Sequence, residues 1–226
     1  MDRSDLYTLI GELTNDPGHD RYSTTNLDTE LDNTQDKWNV HAKIIKDSVT
    51  LTTVDGTRQY AISGLTGTPI SFMRVTHKGL ELKRRDKAYF DMFHSEDWTQ
   101  NLGTPTSYYI DSSNPDSQYI YVYPIPQSVD AGANLVIEYV KRHTPMTSDV
   151  DIPFNANTLL IPYHWGIAYD VAARVLSRDP NTENTQRASG YNQQANNVLA
   201  EVIQTFKAQE REEPLRIRPT RTWPVH

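Results

Sequence analysis

The period of the apolar residues changes twice along this chain, and nothing else in the sequence restricts the fold so tightly. Up to about Lys46 the apolar positions return every three or four residues. Leu27, Leu31, Thr34, Trp38, Ala42 and Ile45 fall on one face of a helix of about five turns. A shorter helix before it carries Leu6, Leu9, Ile10 and Leu13 on one side, with Ser4 as its expected cap. The polar stretch NDPGHDRYS separates the two, because Pro17 and Gly18 break a helix; Thr25 with Asp28 reads as the cap of the second.

From about Asp47 the period drops to two. In SVTLTTVDGTRQYAIS, Val49, Leu51 and Thr53 alternate, Asp55-Gly56 fits a two-residue hairpin turn, and Arg58, Tyr60 and Ile62 resume the alternation. ISFMRVTHKGLELKRR repeats the design around Lys78-Gly79. AYFDMFHSEDW reads as a short helix or turn whose aromatics plug one end of the sheet. Three aromatic-rich strands follow, TSYYID, QYIYVYP and NLVIEYVKR. Six or seven short strands at this spacing predict an antiparallel sandwich or barrel.

The helical period then returns. LLIPYHWGIAYDVAARVLSRD is apolar almost all round, through Leu160, Trp165, Ile167, Ala168, Val171, Ala172, Val175 and Leu176, which predicts a centrally buried helix. Pro162 stands near its start, where a missing N–H is harmless. Asp179-Pro180-Asn181 turns the chain into a helix with Tyr191, Ala195, Val198, Leu199, Val202 and Phe206 on one face. The two helices predict an antiparallel hairpin. The fold class expected is therefore α+β, in four parts: N-terminal helices (1–46), an antiparallel β module (47–148), a C-terminal helical hairpin (149–213) and an extended tail (214–226). The N-terminal helices either complete a helical core with the hairpin or belong with the sheet.

Charge sets the tail apart. The chain has 22 Lys+Arg against 29 Asp+Glu, a formal net charge of −7. The segment PLRIRPTRTWPVH holds three arginines and no acidic side chain, so the remainder has 19 cations against 29 carboxylates. Pro214, Pro219 and Pro224 forbid a helix there. An acidic body argues against general binding to nucleic acid, whose phosphates are met by Lys and Arg.

Several chemistries are excluded or unsupported. The absence of cysteine removes disulfides, thiolate metal sites and a thiol nucleophile. No apolar run approaches about 18 residues, so no membrane span is expected, and MDRSDLYTLIGEL lacks the pattern of a signal peptide. Among His19, His41, His77, His94, His143, His164 and His226 no pair has zinc-protease spacing. His164, beside Trp165, reads as a core or subunit-contact histidine bonded to a carbonyl. GLTGTP lacks the lysine of a phosphate loop, no serine stands in a nucleophile elbow, and TSDVDIP is too short for a Ca²⁺ loop. No cofactor and no metal are expected, and no catalysis.

Tyr119, Tyr121 and Tyr123 share one face of a strand. Such a row packs against cross-strand neighbours, or, exposed, stacks on sugar rings as in a carbohydrate- or receptor-binding module. The run KRRDK at 83–87 reads as a solvated turn.

The order of these parts resembles the head–tail adaptor (connector) proteins of tailed bacteriophages. The residues that carry the likeness are Gly103, Pro105 and Tyr108 on one strand, Tyr123, Pro124 and Pro126 at the end of the next, and Asp151 and Pro153 at the entry to the buried helix. The likeness covers roughly residues 24–210. It implies a structural virion protein, assembled in the host cytoplasm, that forms a homo-oligomeric, typically dodecameric, ring below the portal. The ring extends the channel through which double-stranded DNA passes without sequence-specific binding, and it receives a tail or nozzle protein. The resemblance further implies that the tail docks on the portal protein through Pro214, Leu215, Arg216, Ile217, Arg218, Arg221 and Trp223. It assigns ring and core packing to Trp38, Leu160, Trp165, Val171, Tyr191, Val202 and Phe206.

Overall fold

The computed structural model describes residues 1–62, 65, 67–93, 100–111, 119–178 and 181–212. Its first elements are α1 (Arg3–Thr14), α2 (Thr24–Ala42), β1 (Lys46–Thr52), β2 (Gln59–Ala61), β3 (Pro69–His77), β4 (Leu80–Glu81), β5 (Lys83–Arg84) and α3 (Lys87–Phe93). Then come β6 (Ser107–Asp111), β7 (Tyr119–Tyr123), β8 (Asn134–Lys141), the single turn α4 (Pro153–Ala156), a 3-10 segment (Thr158–Tyr163), α5 (His164–Ser177) and α6 (Thr182–Glu212). This is the expected α+β class. The chain divides into a helical unit, Met1–Ile44 with the chain from Thr144 onward, and a β unit, Ile45–His143.

In the helical unit, α1 is capped two residues earlier than the expected Ser4. Asp2 is the cap: its carboxylate accepts from Asp5 N, and the Asp5 carboxylate accepts from Asp2 N in return. The exposed first N–H groups of Arg3 and Ser4 donate to the carbonyls of Asp151 (2.9 Å) and Asp149 (3.1 Å), so the TSDVDIP loop closes the start of α1. Asp16 organises the following turn, accepting from the backbone N–H of Asp20, Arg21 and Tyr22. Ser23, not Thr25, stands at the N-cap position of α2, and its side chain makes no capping hydrogen bond.

The centre of this unit is where α2, α5 and α6 meet. Leu27, Leu31, Trp38, Ile167, Val171, Leu176 and Val202 are fully or almost fully buried there. Gly166 admits the contact: a Cβ on it would stand 2.7 Å from Cη2 of Trp38 and 2.6 Å from Cγ1 of Val198. The approach to α5 is unusual. Phe154, Asn155 and Ala156 all have left-handed backbone, φ 54°, 56° and 59°, a conformation that costs about 1–2 kcal/mol per residue. The turn is held by its partners: Phe154 N donates to Gln35 Oε1 at 2.9 Å, the Phe154 ring stacks on Trp38 at 6.5 Å, and Asn155 Oδ1 accepts from Thr144 N. Asn181 begins α6, its side chain accepting from Asn184 N at 2.7 Å; Asp179 and Pro180 of the expected turn lie outside the described residues.

The β unit is a sandwich of two four-stranded sheets, ordered β1-β8-β3-β4 and β2-β7-β6-β5. Tyr60, Ile62, Leu82, Tyr108, Ile120 and Val122 meet Val75, Leu135 and Ile137 in its core. Lys78-Gly79 makes the expected hairpin, with both residues at positive φ (52° and 77°) between β3 and β4. Asp55-Gly56 does not. β1 pairs with β8 and β2 with β7, so the chain crosses between sheets there, and Gly56 N donates to Pro126 O. Phe90 of α3 packs on Tyr109 and Tyr123, and so covers part of the outer face of the second sheet rather than one end of it; residues 94–98 of that expected aromatic plug lie outside the described residues, as do 64 and 66 of GLTGTP.

Candidate functional site

The helical unit holds its charges inside. Asp170 sits in the middle of the apolar face of α5 and is 2% exposed. Its Oδ2 accepts from Lys37 Nζ at 2.8 Å and from Trp38 Nε1 at 3.0 Å, and its Oδ1 from Arg174 Nε at 3.2 Å, one turn along. Burial raises the Asp170 pKa, but Lys37, Trp38 and Arg174 outweigh it and hold the carboxyl below the usual carboxylate range. Glu30 of α2, also buried, is paired with Arg178 and, at 3.7 Å, with Arg174. Two buried carboxylates thus tie α2 to α5 through three cations. Both carboxylates face cations from the neighbouring helix, an arrangement that fixes the register of α2 against α5.

A second cluster anchors α1. Arg3 forks onto Asp28 at 2.9 and 3.0 Å and reaches Asp149 at 2.8 Å. The Asp28 bond raises the Arg3 pKa, and burial with a bond to Asp28 raises that of the Tyr7 phenol.

His164 is fully buried. Its Nδ1 lies 3.0 Å from the Met1 carbonyl, and its Nε2 has no partner. Burial pushes its pKa down to about 4, with the N-terminal ammonium adding to the shift and the Met1 carbonyl opposing it. The ring is neutral at physiological pH and touches a backbone carbonyl, not a nucleophile or carboxylate. In the β unit, Asp130 is fully buried; Lys78 Nζ at 2.7 Å and Thr104 Oγ1 at 3.1 Å hold its pKa low. Its carbonyl accepts from Thr53 Oγ1. Among the described residues no group of three or more His, Asp or Glu is placed to hold a metal ion, and no helix is long and apolar enough to cross a membrane.

The tyrosine row lies on the outer face of the second sheet. Tyr121 stacks on Tyr109 at 4.5 Å with rings 2° from parallel, and Tyr123 is buried under Phe90. The basic run 83–87 is the edge strand β5 and the entry to α3, with Arg85 over the Tyr89 ring at 4.5 Å. Charged edge strands resist pairing with another sheet.

With this geometry in hand, comparison with known families gives a match along nearly the whole chain. The model for SU10 adaptor protein covers residues 1–221. The chain belongs to the SU10 adaptor protein family. No curated protein matches it. This family is one of phage adaptors, so the chain has a structural role in a bacteriophage and is a virion component.

Within this adaptor, Trp38, Leu160, Val171, Val202 and Phe206 all face the chain's own interior. Tyr191 is half-buried on α6, its hydroxyl donating to Leu13 O at 3.3 Å. Trp165 is different: 40% exposed, it meets Tyr169 edge to face, and Tyr169 meets Tyr191 likewise. The apolar run of α5 therefore has one wet aromatic corner that an all-round apolar pattern does not reveal. Pro214, Leu215, Arg216, Ile217, Arg218, Arg221 and Trp223 lie outside the described residues. Sequence reading overlooked Asp170, Glu30 and Gly166. A signal for Asp170 was present, since a lone carboxylate amid an apolar helix demands buried cations.

Proposed function

We propose that this adaptor assembles as a ring, dodecameric as in the family resemblance, beneath the portal of a tailed phage. The ring continues the DNA channel and offers its far side to a tail or nozzle protein. No catalysis, cofactor or metal enters this role. The observation that supports it above the others is the extent of the family match, which runs past the folded helices and through the tail to Arg221.

The tail then docks on the portal. Thirteen extended residues from Pro214 to His226 span at most about 45 Å, enough to leave one subunit and cross another. Arg216, Arg218 and Arg221 pair with portal carboxylates, where planar guanidinium groups bind bidentately. Leu215, Ile217 and Trp223 anchor in apolar pockets between portal subunits. The prolines reduce the entropy lost on ordering, and many tails on one ring bind with avidity. The acidic body suits a channel that lets DNA phosphates slide.

Co-sedimentation with portal rings of the same phage tests this reading, comparing the full chain with one ending at Glu213. The full chain pellets and the truncated chain stays in solution. Equal pelleting of both removes the docking role of the tail, and pelleting of neither removes the portal-proximal role.

A further inference from the structure

β5 ends its sheet. It pairs with β6, in parallel, and stands last in the order β2-β7-β6-β5. Lys83 N donates to Thr106 O at 2.9 Å and Arg85 N to Tyr108 O at 2.8 Å. Alternate residues of a strand bond to the same neighbour, so the N–H and C=O of Arg84, between them, point away from β6. Arg84 is exposed, and among the described residues nothing bonds to that outer side. One backbone donor and one acceptor are left open at the sheet's edge.

The cations at this edge have no anions. Elsewhere Lys37 and Arg174 face Asp170, Lys78 faces Asp130 and Arg178 faces Glu30. Among the described residues no carboxylate makes an ion pair with Arg84, Arg85 or Lys87, although acidic side chains outnumber Lys and Arg by 29 to 22. The Arg85 guanidinium lies over the Tyr89 ring, and its Nε is buried with no acceptor, a charged donor left short of partners.

The three cations line one pocket of about 140 Å³ together with Asp86, Tyr109, Ile110 and Asp111. Small-molecule sites begin at roughly 300 Å³, so this pocket suits one side chain rather than a whole metabolite. Its wall carries three cations against two carboxylates, an excess of a single positive charge. A carboxylate, with one negative charge, matches that excess. A phosphate dianion, or the unbroken line of phosphates in a nucleic acid, meets Asp86 and Asp111 as like charges. Ile110 and Tyr109 offer the stem of the entering side chain an apolar wall.

We propose that the open edge of β5 is the docking site for an extended acidic segment of a partner protein. The segment adds as a strand beside Arg84, bonds to its N–H and C=O, and sets a Glu or Asp carboxylate among Arg84, Arg85 and Lys87. Charge selects the strand that enters. The cations that keep other sheet edges away attract an acidic one, and guanidinium groups hold carboxylates bidentately. This site belongs to the β unit and stands apart from the tail and from ring formation.

Isothermal titration calorimetry of the full chain with the peptide acetyl-Glu-Val-Glu-Val-Glu-Val-amide is the test, since alternation puts its carboxylates on one face of a strand. The expected result is saturable binding tighter than about 1 mM, at least about tenfold weaker in the folded variant Arg84→Glu with Lys87→Glu. Two further peptides, N-methylated at the three Glu or at the three Val, read the backbone contact. A paired strand donates from alternate residues only, so one of them binds about fivefold more weakly, the worth of a hydrogen bond, and the other binds like the parent. No saturable binding, or equal binding by the charge-reversed variant, overturns the proposal. Equal effects of the two methylations also overturn it, because the carboxylates then bind without a strand. Displacement of the peptide by inorganic phosphate or oligothymidylate at the peptide's own concentration makes the site a general anion site and overturns it as well. Self-association of the wild type that the charge reversal abolishes makes a second copy the occupant, with the same consequence.

Discussion

Gly166 on α5 and Val198 on α6 are so close that a Cβ on the glycine would stand 2.6 Å from Cγ1 of the valine. Trp38 of α2 closes the same space from the other side, 2.7 Å from that Cβ. Three helices share one point, and the point exists because residue 166 has no side chain. Gly166→Ala therefore forces Val198 and Trp38 to shift, at a cost of about 2–3 kcal/mol. Gly190, on the open side of α6, gives the contrast: Gly190→Ala stabilises the isolated chain by about 1 kcal/mol. Urea unfolding followed by circular dichroism at 222 nm measures both. A Gly166→Ala chain as stable as the wild type would contradict the packing of α2, α5 and α6.

His164 makes the helical unit sensitive to mild acid. Its folded pKa is about 4 against an ordinary 6.5, so the unfolded chain binds the proton first. Stability is complete above about pH 6.5, falls as the pH drops towards 4, and loses about 3 kcal/mol over that window. His77 of the β unit is shifted the same way by burial. Thermal melting at 222 nm between pH 7 and 4.5 should show a steeper decline for the wild type than for His164→Gln. Equal slopes would mean that the imidazole is not held neutral.

Asp170 carries the register between α2 and α5. Asp170→Asn keeps the shape but leaves Lys37 and Arg174 without their shared charge, and it turns an amide N–H₂ towards donors. Since both cations are partly exposed (29% and 32%), the loss is about 2–3 kcal/mol, below that of a fully buried pair. The carboxyl is held below its usual range, so its contribution is present above about pH 4 and fades as the pH falls further. The gap in urea midpoint between wild type and variant should accordingly narrow in acid.

In the β unit, Asp130 joins the Lys78-Gly79 hairpin to the segment at Thr104. Asp130→Asn costs about 2 kcal/mol, the scale of a charge-assisted hydrogen bond lost from a buried acceptor. Near-ultraviolet circular dichroism of the tyrosines, eight of whose thirteen lie in this unit, follows the unfolding, and it should report an earlier transition for the variant. An unchanged midpoint would show that Lys78 finds an equivalent partner.

What the sequence determined by itself was local. The period of three to four marked α1, α2, α5 and α6, and the period of two marked β1, β3, β6, β7 and β8, because those spacings follow from backbone geometry alone. Lys78-Gly79 was legible as a hairpin for the same reason. What the tertiary structure decided was partnership. Asp55-Gly56 has the same local chemistry, yet β1 pairs with β8 some ninety positions away, and only that distant edge turns a hairpin signal into a crossing between sheets. Asp2 displaced Ser4 as the cap of α1 because Asp5 and the carbonyls of Asp149 and Asp151 complete it. The apolar run of α5 said that the helix is buried, but not that Trp165 keeps an open side while Asp170 goes inside with Lys37. Burial of a side chain depends on what arrives from elsewhere in the chain, and a one-dimensional pattern records a helix's faces without saying which neighbour each face meets.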